Sequence, residues 1–252
     1  MRYSHPLQKS REHHILKNRY ASSVVSWAWV IIAFLLVGFF FSFSSLDIKQ
    51  VISGFAVSLI RTTIAYLLAA VLAVAIALSI TANKTLENLF LPIFDVLQSF
   101  PSFALFPVLV IALKNSPETV IISVLAIEII WPILFSMIGS MKNRRRDLEE
   151  AATIFGARSW KRLIYFTLPQ LSPSIITGSI VGWGSGWEFI IGAELLVKTK
   201  FGIGAYLGTL GNNQQNVALA FGIIILLMLL YVINKLIWLP LLIRSTLYSA
   251  EA

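Results

Sequence analysis

Apolar residues gather into long runs separated by short polar stretches. Crossing about 30 Å of hydrocarbon takes roughly 20 helical residues, and six runs meet that length. They are Val24–Ser42, Thr62–Ile80, Leu89–Leu113, Thr119–Ile138, Ser174–Val197 and Val217–Leu239. Pro92, Pro101 and Pro107 punctuate the third, the fourth carries Glu128 and Pro132, and the fifth is rich in glycine. The first run is too long for a signal-peptide core and no small-residue cleavage site follows it, so it reads as an uncleaved anchor. Between the first two runs, Ile48, Val51, Ile52, Phe55, Ala56 and Leu59 recur at helical spacing. That stretch is either an amphipathic helix on the outer face or an outward extension of the second span.

The pattern predicts an all-α polytopic transmembrane bundle of about six spans. It divides the chain into a basic tail (1–22), a membrane domain (23–244) with a polar loop at 139–171, and a short C-terminal tail (245–252). Composition agrees: hydrophobic residues are 57% and charged residues 13% of 252, and mean hydropathy is +0.80. A soluble globule of this size cannot bury that much apolar surface.

The net charge of +8 would suggest nucleic acid in a soluble chain. Here the basic residues flank the apolar runs. Arg2, Lys9, Arg11, Lys17, Arg19, Lys84, Lys142, Arg144, Arg145, Arg146, Arg158, Lys161, Arg162 and Arg244 all fall on one side if six spans are threaded in order. Lys49, Arg61, Lys114, Lys198 and Lys200 fall on the other. The positive-inside rule then places both termini in the cytoplasm. With no cysteine there is no disulfide, thiolate site or cysteine nucleophile. His5, His13 and His14 sit together in the tail without a carboxylate cluster, and read as solvated residues rather than metal ligands.

The loop 139–171 is the most informative polar segment. After the basic run from Lys142 to Arg146, Asp147 is a good N-cap and Glu150 follows three residues later, the spacing of a capping box. Ala151 and Ala152 favour helix, Gly156 suits a left-handed stop, and Pro169 after Leu168 is expected to end a second short helix, Trp160–Thr167. Leu148, Ile154, Phe155 and Trp160 are apolar groups that a bare loop would not bury. Such a loop fits either a groove on another protein or this chain's own helix ends.

Glu150-Ala151-Ala152, three residues, Gly156, nine residues, then Phe166-Thr167-Leu168-Pro169 resembles the EAA loop of ABC importer permeases, with Phe166 replacing an isoleucine. Phe100-Pro101 with Pro107, Trp131-Pro132, and Ala193-Glu194 before Gly202-Ile203-Gly204 resemble the permeases for sulfonates, taurine, nitrate or bicarbonate. The resemblance implies a MetI-like permease fold and a second permease copy. It also implies a cytoplasmic ABC ATPase dimer that binds ATP and Mg, and an extracytoplasmic substrate-binding protein. Glu150, Ala151, Ala152, Gly156, Leu168 and Pro169 would couple to that ATPase. The chain has no phosphate loop of the form G-x-x-x-x-G-K-[ST]. No cofactor, metal or covalent chemistry is expected in it.

Candidate path residues are Ser99, Phe100, Pro101, Glu128, Gly182, Gly184, Gly186, Glu188 and Glu194. Alternating glycines weaken a helix, and broken backbone is tolerated in lipid only when buried or lining a wet cavity. Close helix packing through small residues is the competing reading. The carboxylates are expensive at membrane depth and invite pairing with a base such as Arg61, which could equally meet an anionic substrate. Trp27, Trp29 and Trp238 are expected at the membrane interfaces. An ion-coupled transporter working through Glu128 or Glu188 is the alternative, weakened by the absence of an inverted repeat.

Overall fold

The computed structural model describes residues 46–113, 116–142 and 159–250. The span at 24–42, the histidines, and Glu150, Ala151, Ala152 and Gly156 lie outside those residues. The described chain is helical throughout: α1 Ile48–Thr81, α2 Lys84–Gln98, a 3₁₀ turn Ser102–Leu105, α3 Phe106–Ala112, α4 Pro117–Lys142, α5 Trp160–Val197, α6 Ile203–Asn212 and α7 Asn216–Ser245. Among the described residues, α1, α4, α5 and α7 are long and apolar enough to cross a membrane. The pair of α2 with Ser102–Ala112, bent by 86°, makes a fifth candidate.

The stretch from Ile48 is a continuation of the second span, not a separate surface helix. At 1.5 Å per residue, the 34 residues of α1 reach ~51 Å, well beyond the hydrocarbon. Asp47 caps it, its carboxylate accepting from the amides of Lys49 at 2.9 Å and Gln50 at 3.4 Å. The Asp47 amide donates to the Tyr206 hydroxyl at 3.0 Å, tying this end to α6.

Helix α4 is the centre of the bundle. Its large side chains, including Ile121, Leu125, Ile129, Ile133 and Met137, are fully buried. Both neighbours meet it with small residues at four-residue spacing, so one face of each is nearly flat. On α1, which packs against α4, that stripe is Ala65, Ala69, Ala73 and Ala77, all with no exposure. On α5 it is Gly178, Gly182 and Gly186. A Cβ on Gly178 would stand 2.7 Å from the Pro132 carbonyl oxygen, and one on Gly182 would stand 2.8 Å from the Ile129 carbonyl oxygen. The Ser136 hydroxyl adds a 2.7 Å hydrogen bond to the Ser174 carbonyl. Between these two readings of the glycines, the structure therefore selects close packing for Gly182 and Gly186.

Three other expectations change. Pro169 does not end a loop helix: α5 runs from Trp160 through Pro169 and Pro173 to Val197. A π-turn at Leu163–Thr167 widens the helix just ahead of Pro169, and a matching one at Asn234–Trp238 precedes Pro240 in α7. Both relieve the clash of a proline ring with the carbonyl four residues back. Pro173 leaves the Pro169 carbonyl without its helical donor, and the Ser172 hydroxyl supplies one at 2.8 Å. In the third span, Pro92 lies inside α2 and Pro107 in the first turn of α3, so the chain breaks only at Ser99–Pro101. Trp238 is not an interface anchor but a buried residue, its ring edge-on to Tyr66 at 5.5 Å and tilted against Trp183 at 5.8 Å.

The glycine stripe makes a paired prediction. Gly182→Ala puts a methyl into the Ile129 backbone and should destabilise by about 1–3 kcal/mol, the usual cost of overpacking. Gly184→Ala, which meets nothing within 4 Å, should match or exceed the parent stability, since alanine favours helix by up to about 1 kcal/mol. Heat-denaturation midpoints of the purified chain in detergent check both.

Candidate functional site

Three features stand out on this scaffold. The first is the elbow between α2 and α3. Pro101 precedes the turn, and Ser102, nearly buried, donates to the Glu128 carboxylate on α4 at 2.7 Å. Phe103 stacks on Phe189 of α5 with centroids 4.3 Å apart. Gly192, one turn on, leaves room for that ring: a Cβ there would lie 2.8 Å from it. Ser99, Phe100 and Pro101 stay exposed.

The second is a cavity of about 700 Å³ lined by α5, α6 and α7. Gly184 and Glu188 face it from α5, beside Trp187, Ile191 and Leu195. Gly208, Gly211 and Asn212 contribute from α6, and Leu219, Ile223, Leu226 and Leu230 from α7. The glycine-rich stretch thus has two faces. Gly182 and Gly186 close the seam with α4, while Gly184 and Glu188 border open space.

The third is an ion-pair cluster around Arg61. The Arg61 Nε donates to Glu118 Oε2 at 2.6 Å, and Nη2 donates to Glu118 Oε1. Nη1 donates to Glu194 Oε1 and to the Phe201 carbonyl, each at 2.7 Å. The Glu194 carboxylate is fully buried and also accepts from the Ser58 hydroxyl at 2.7 Å and the Gly204 amide at 2.8 Å. Ser58 in turn accepts from the Ile203 amide at 2.9 Å. Gly202, at φ 138°, turns the chain over this centre, and a Cβ there would strike the Glu194 carboxylate. Two carboxylates and a carbonyl occupy Arg61, so the anion-facing role weighed for it does not fit this arrangement. Its work is to tie the body of α1 to the start of α4, the end of α5 and the turn before α6.

The sequence-derived residues are therefore spread over separate places. Ser99, Phe100 and Pro101 form the elbow, which Glu128 reaches through Ser102; Gly184 and Glu188 border the cavity, and Glu194 lies in the ion-pair cluster. Leu168 and Pro169 lie within α5 beside its π-turn. Glu118, Ser58, Phe103 and Gly192 were not apparent from the sequence. Ser58 and Arg61 share a helix face at i, i+3 spacing, which is a usable signal. Nothing local pairs Phe103 with Gly192.

Removing the cation from the cluster strands a buried carboxylate. Arg61→Ala should cost about 3–5 kcal/mol, the penalty for breaking a buried pair. Glu118→Gln, at a side chain 57% exposed, should cost no more than about 1 kcal/mol. The same denaturation assay separates the two, and a larger loss for Glu118→Gln would contradict the assignment.

A family model for the binding-protein-dependent transport system inner membrane component matches residues 73–238. That range holds the elbow, α4, the cavity and all of α5. The chain is 32% identical over 159 residues to a putative ABC transporter permease of Methanocaldococcus jannaschii, covering 63% of this chain and 55% of that protein. It is 30% identical over 185 residues to the nitrate import permease protein NrtB of Leptolyngbya laminosa, covering 72% and 64%. It is 25% identical over 179 residues to the taurine transport system permease protein TauC of Escherichia coli, covering 71% and 64%. The chain thus spans between 55% and 64% of the lengths of these relatives. With a match that runs from the second half of α1 through α4 and α5 into α7, the chain belongs to the binding-protein-dependent transport system inner membrane component family, the MetI-like ABC permeases.

Proposed function

We propose that this chain is the membrane subunit of an ABC importer for a small anion. The family match over residues 73–238 carries the reading. The named relatives handle nitrate, bicarbonate or taurine, all small and bearing an oxyanion group. The basic residues Lys84, Lys142, Lys161, Arg162, Lys235 and Arg244 sit towards one end of the helices, which on the positive-inside rule is the cytoplasmic end.

A second copy of the chain completes the path. Helix α2 has no buried residue and exposes Val96 and Leu97 at 72% and 48%, a face suited to another protein surface. The path runs past the elbow and the cavity, so Phe100, Pro101, Gly184 and Glu188 border it. ATP and Mg bind to a separate cytoplasmic ATPase dimer, and an extracytoplasmic binding protein delivers the substrate. The loop joining α4 to α5, with Glu150, Ala151, Ala152 and Gly156, docks on that ATPase; Leu168 and Pro169 follow at the base of α5. ATP-driven closure of the ATPase then moves this loop and switches the path between outward and inward access.

Reconstitution in liposomes with a cytoplasmic ABC ATPase and a substrate-binding protein tests the reading. Nitrate, bicarbonate or taurine uptake should require ATP and all three proteins. Uptake by the chain alone would overturn it. Gly156→Asp should lower uptake by about tenfold or more, a coupling loss within the usual allosteric range. The chain should still insert and purify normally. Unchanged uptake would remove the loop from the mechanism.

A further inference from the structure

The elbow is gripped at two points by two different helices. Ser102 is bonded to Glu128 of α4 at 2.7 Å, and Phe103 is stacked on Phe189 of α5 over the hollow at Gly192. One contact would leave the elbow free to pivot. Two contacts on separate helices fix its orientation, provided those helices keep their spacing. They do: α4 and α5 are zipped by Gly178, Gly182 and Gly186 against the Pro132 and Ile129 carbonyls, and by Ser136 to Ser174. The far ends of this hairpin, Lys142 and Ser159, are the two residues that bracket the segment 143–158. Helix α2, by contrast, buries no residue. Its links to α4 are the tilted Phe94–Trp131 contact at 6.0 Å and the half-exposed Lys142–Glu87 pair at 3.0 Å.

We infer that α4, α5 and the elbow form one lever, with Glu128, Ser102, Phe103 and Gly192 as positioning residues. Displacement of the segment between Lys142 and Ser159 then carries Phe100 and Pro101 with it, while α2 yields. Glu128 acts here through Ser102 and not on the transported species. Because packed elements have discrete arrangements rather than a continuum, a small tilt of the hairpin becomes a defined change at Phe100. This inference rests on the importer reading above.

The chain has no cysteine, so Phe100→Cys is a clean reporter. The full complex, in liposomes, is exposed to a water-soluble maleimide in the nucleotide-free and vanadate-trapped states. With both grips intact, the labelling rate should differ between the states by about tenfold, within the usual span of allosteric coupling. Ser102→Ala removes one grip, and Gly192→Val pushes Phe103 off the other. In either variant the difference should shrink, and in the double variant it should vanish while ATP hydrolysis persists. Ser102→Thr keeps the hydroxyl and should restore the full difference. The lever is overturned if the double variant retains the tenfold difference. It is equally overturned if the parent reporter shows no state dependence although uptake is ATP-driven. Should uptake in the parent complex not depend on ATP at all, the importer reading itself falls.

Discussion

Close approach of α4 to its neighbours is the constraint on which the structure depends. Lipid tails are as apolar as leucine, so helices in a membrane gain little from hiding apolar surface from one another. What holds them is dense contact, and dense contact requires flat faces. Here the flat faces belong to α1 and α5, in alanine and glycine respectively, and the large side chains belong to α4. The division explains why α4 can bury a row of large side chains while its neighbours expose Val71 and Val181 at 69% and 57%.

Polar groups follow the same economy of partners. A buried charge in this setting persists only with its counter-charge and hydrogen bonds in place. Glu194 has Arg61, Ser58 and the Gly204 amide, and Arg61 has Glu118 and the Phe201 carbonyl besides. The cluster fixes the turn through Gly202 against α1, α4 and α5, whereas the cavity opens to the surface. Fixed and open regions are thus drawn from the same helices: Gly182 and Gly186 serve the seam, and Gly184 and Glu188 the cavity, within seven residues of sequence.

Much of this was legible beforehand. The apolar runs located α1, α4, α5 and α7 because a span must be long and continuous to cross hydrocarbon. Their extents were not, for two physical reasons. Ile48 to Leu59 fits an interfacial helix or an extension of the span equally by its spacing, and the extension is formed because a helix already nucleated in the membrane continues outward at little cost. Pro169 reads as a stop, but a π-turn ahead of it, and the Ser172 hydroxyl on its carbonyl, let the helix run on through Pro169 and Pro173. Glycine spacing alone could not separate a weak helix from a tight seam; that took the position of Ile129. The Arg61–Glu194 pairing was within reach, since an intramembrane carboxylate demands a base. Glu118 was hidden because it sits in a helix first turn, where the helix dipole already accounts for an acidic residue. Trp238 misled because an aromatic near a span end is usually at the interface, whereas here the α7 π-turn places it in the Tyr66–Trp183 cluster.

Rigidity of the α4–α5 hairpin is the claim on which the mechanical account stands, and it can be measured directly. Spin labels at Gly139 on α4 and Thr177 on α5, both exposed, would report the interhelical distance in the complete complex, with labelled chains diluted among unlabelled ones. The account predicts one distance distribution, unchanged between the nucleotide-free and vanadate-trapped states. A shift of more than about 2 Å, beyond the small sliding that packed helices allow, would mean that the two helices move apart, and would contradict it.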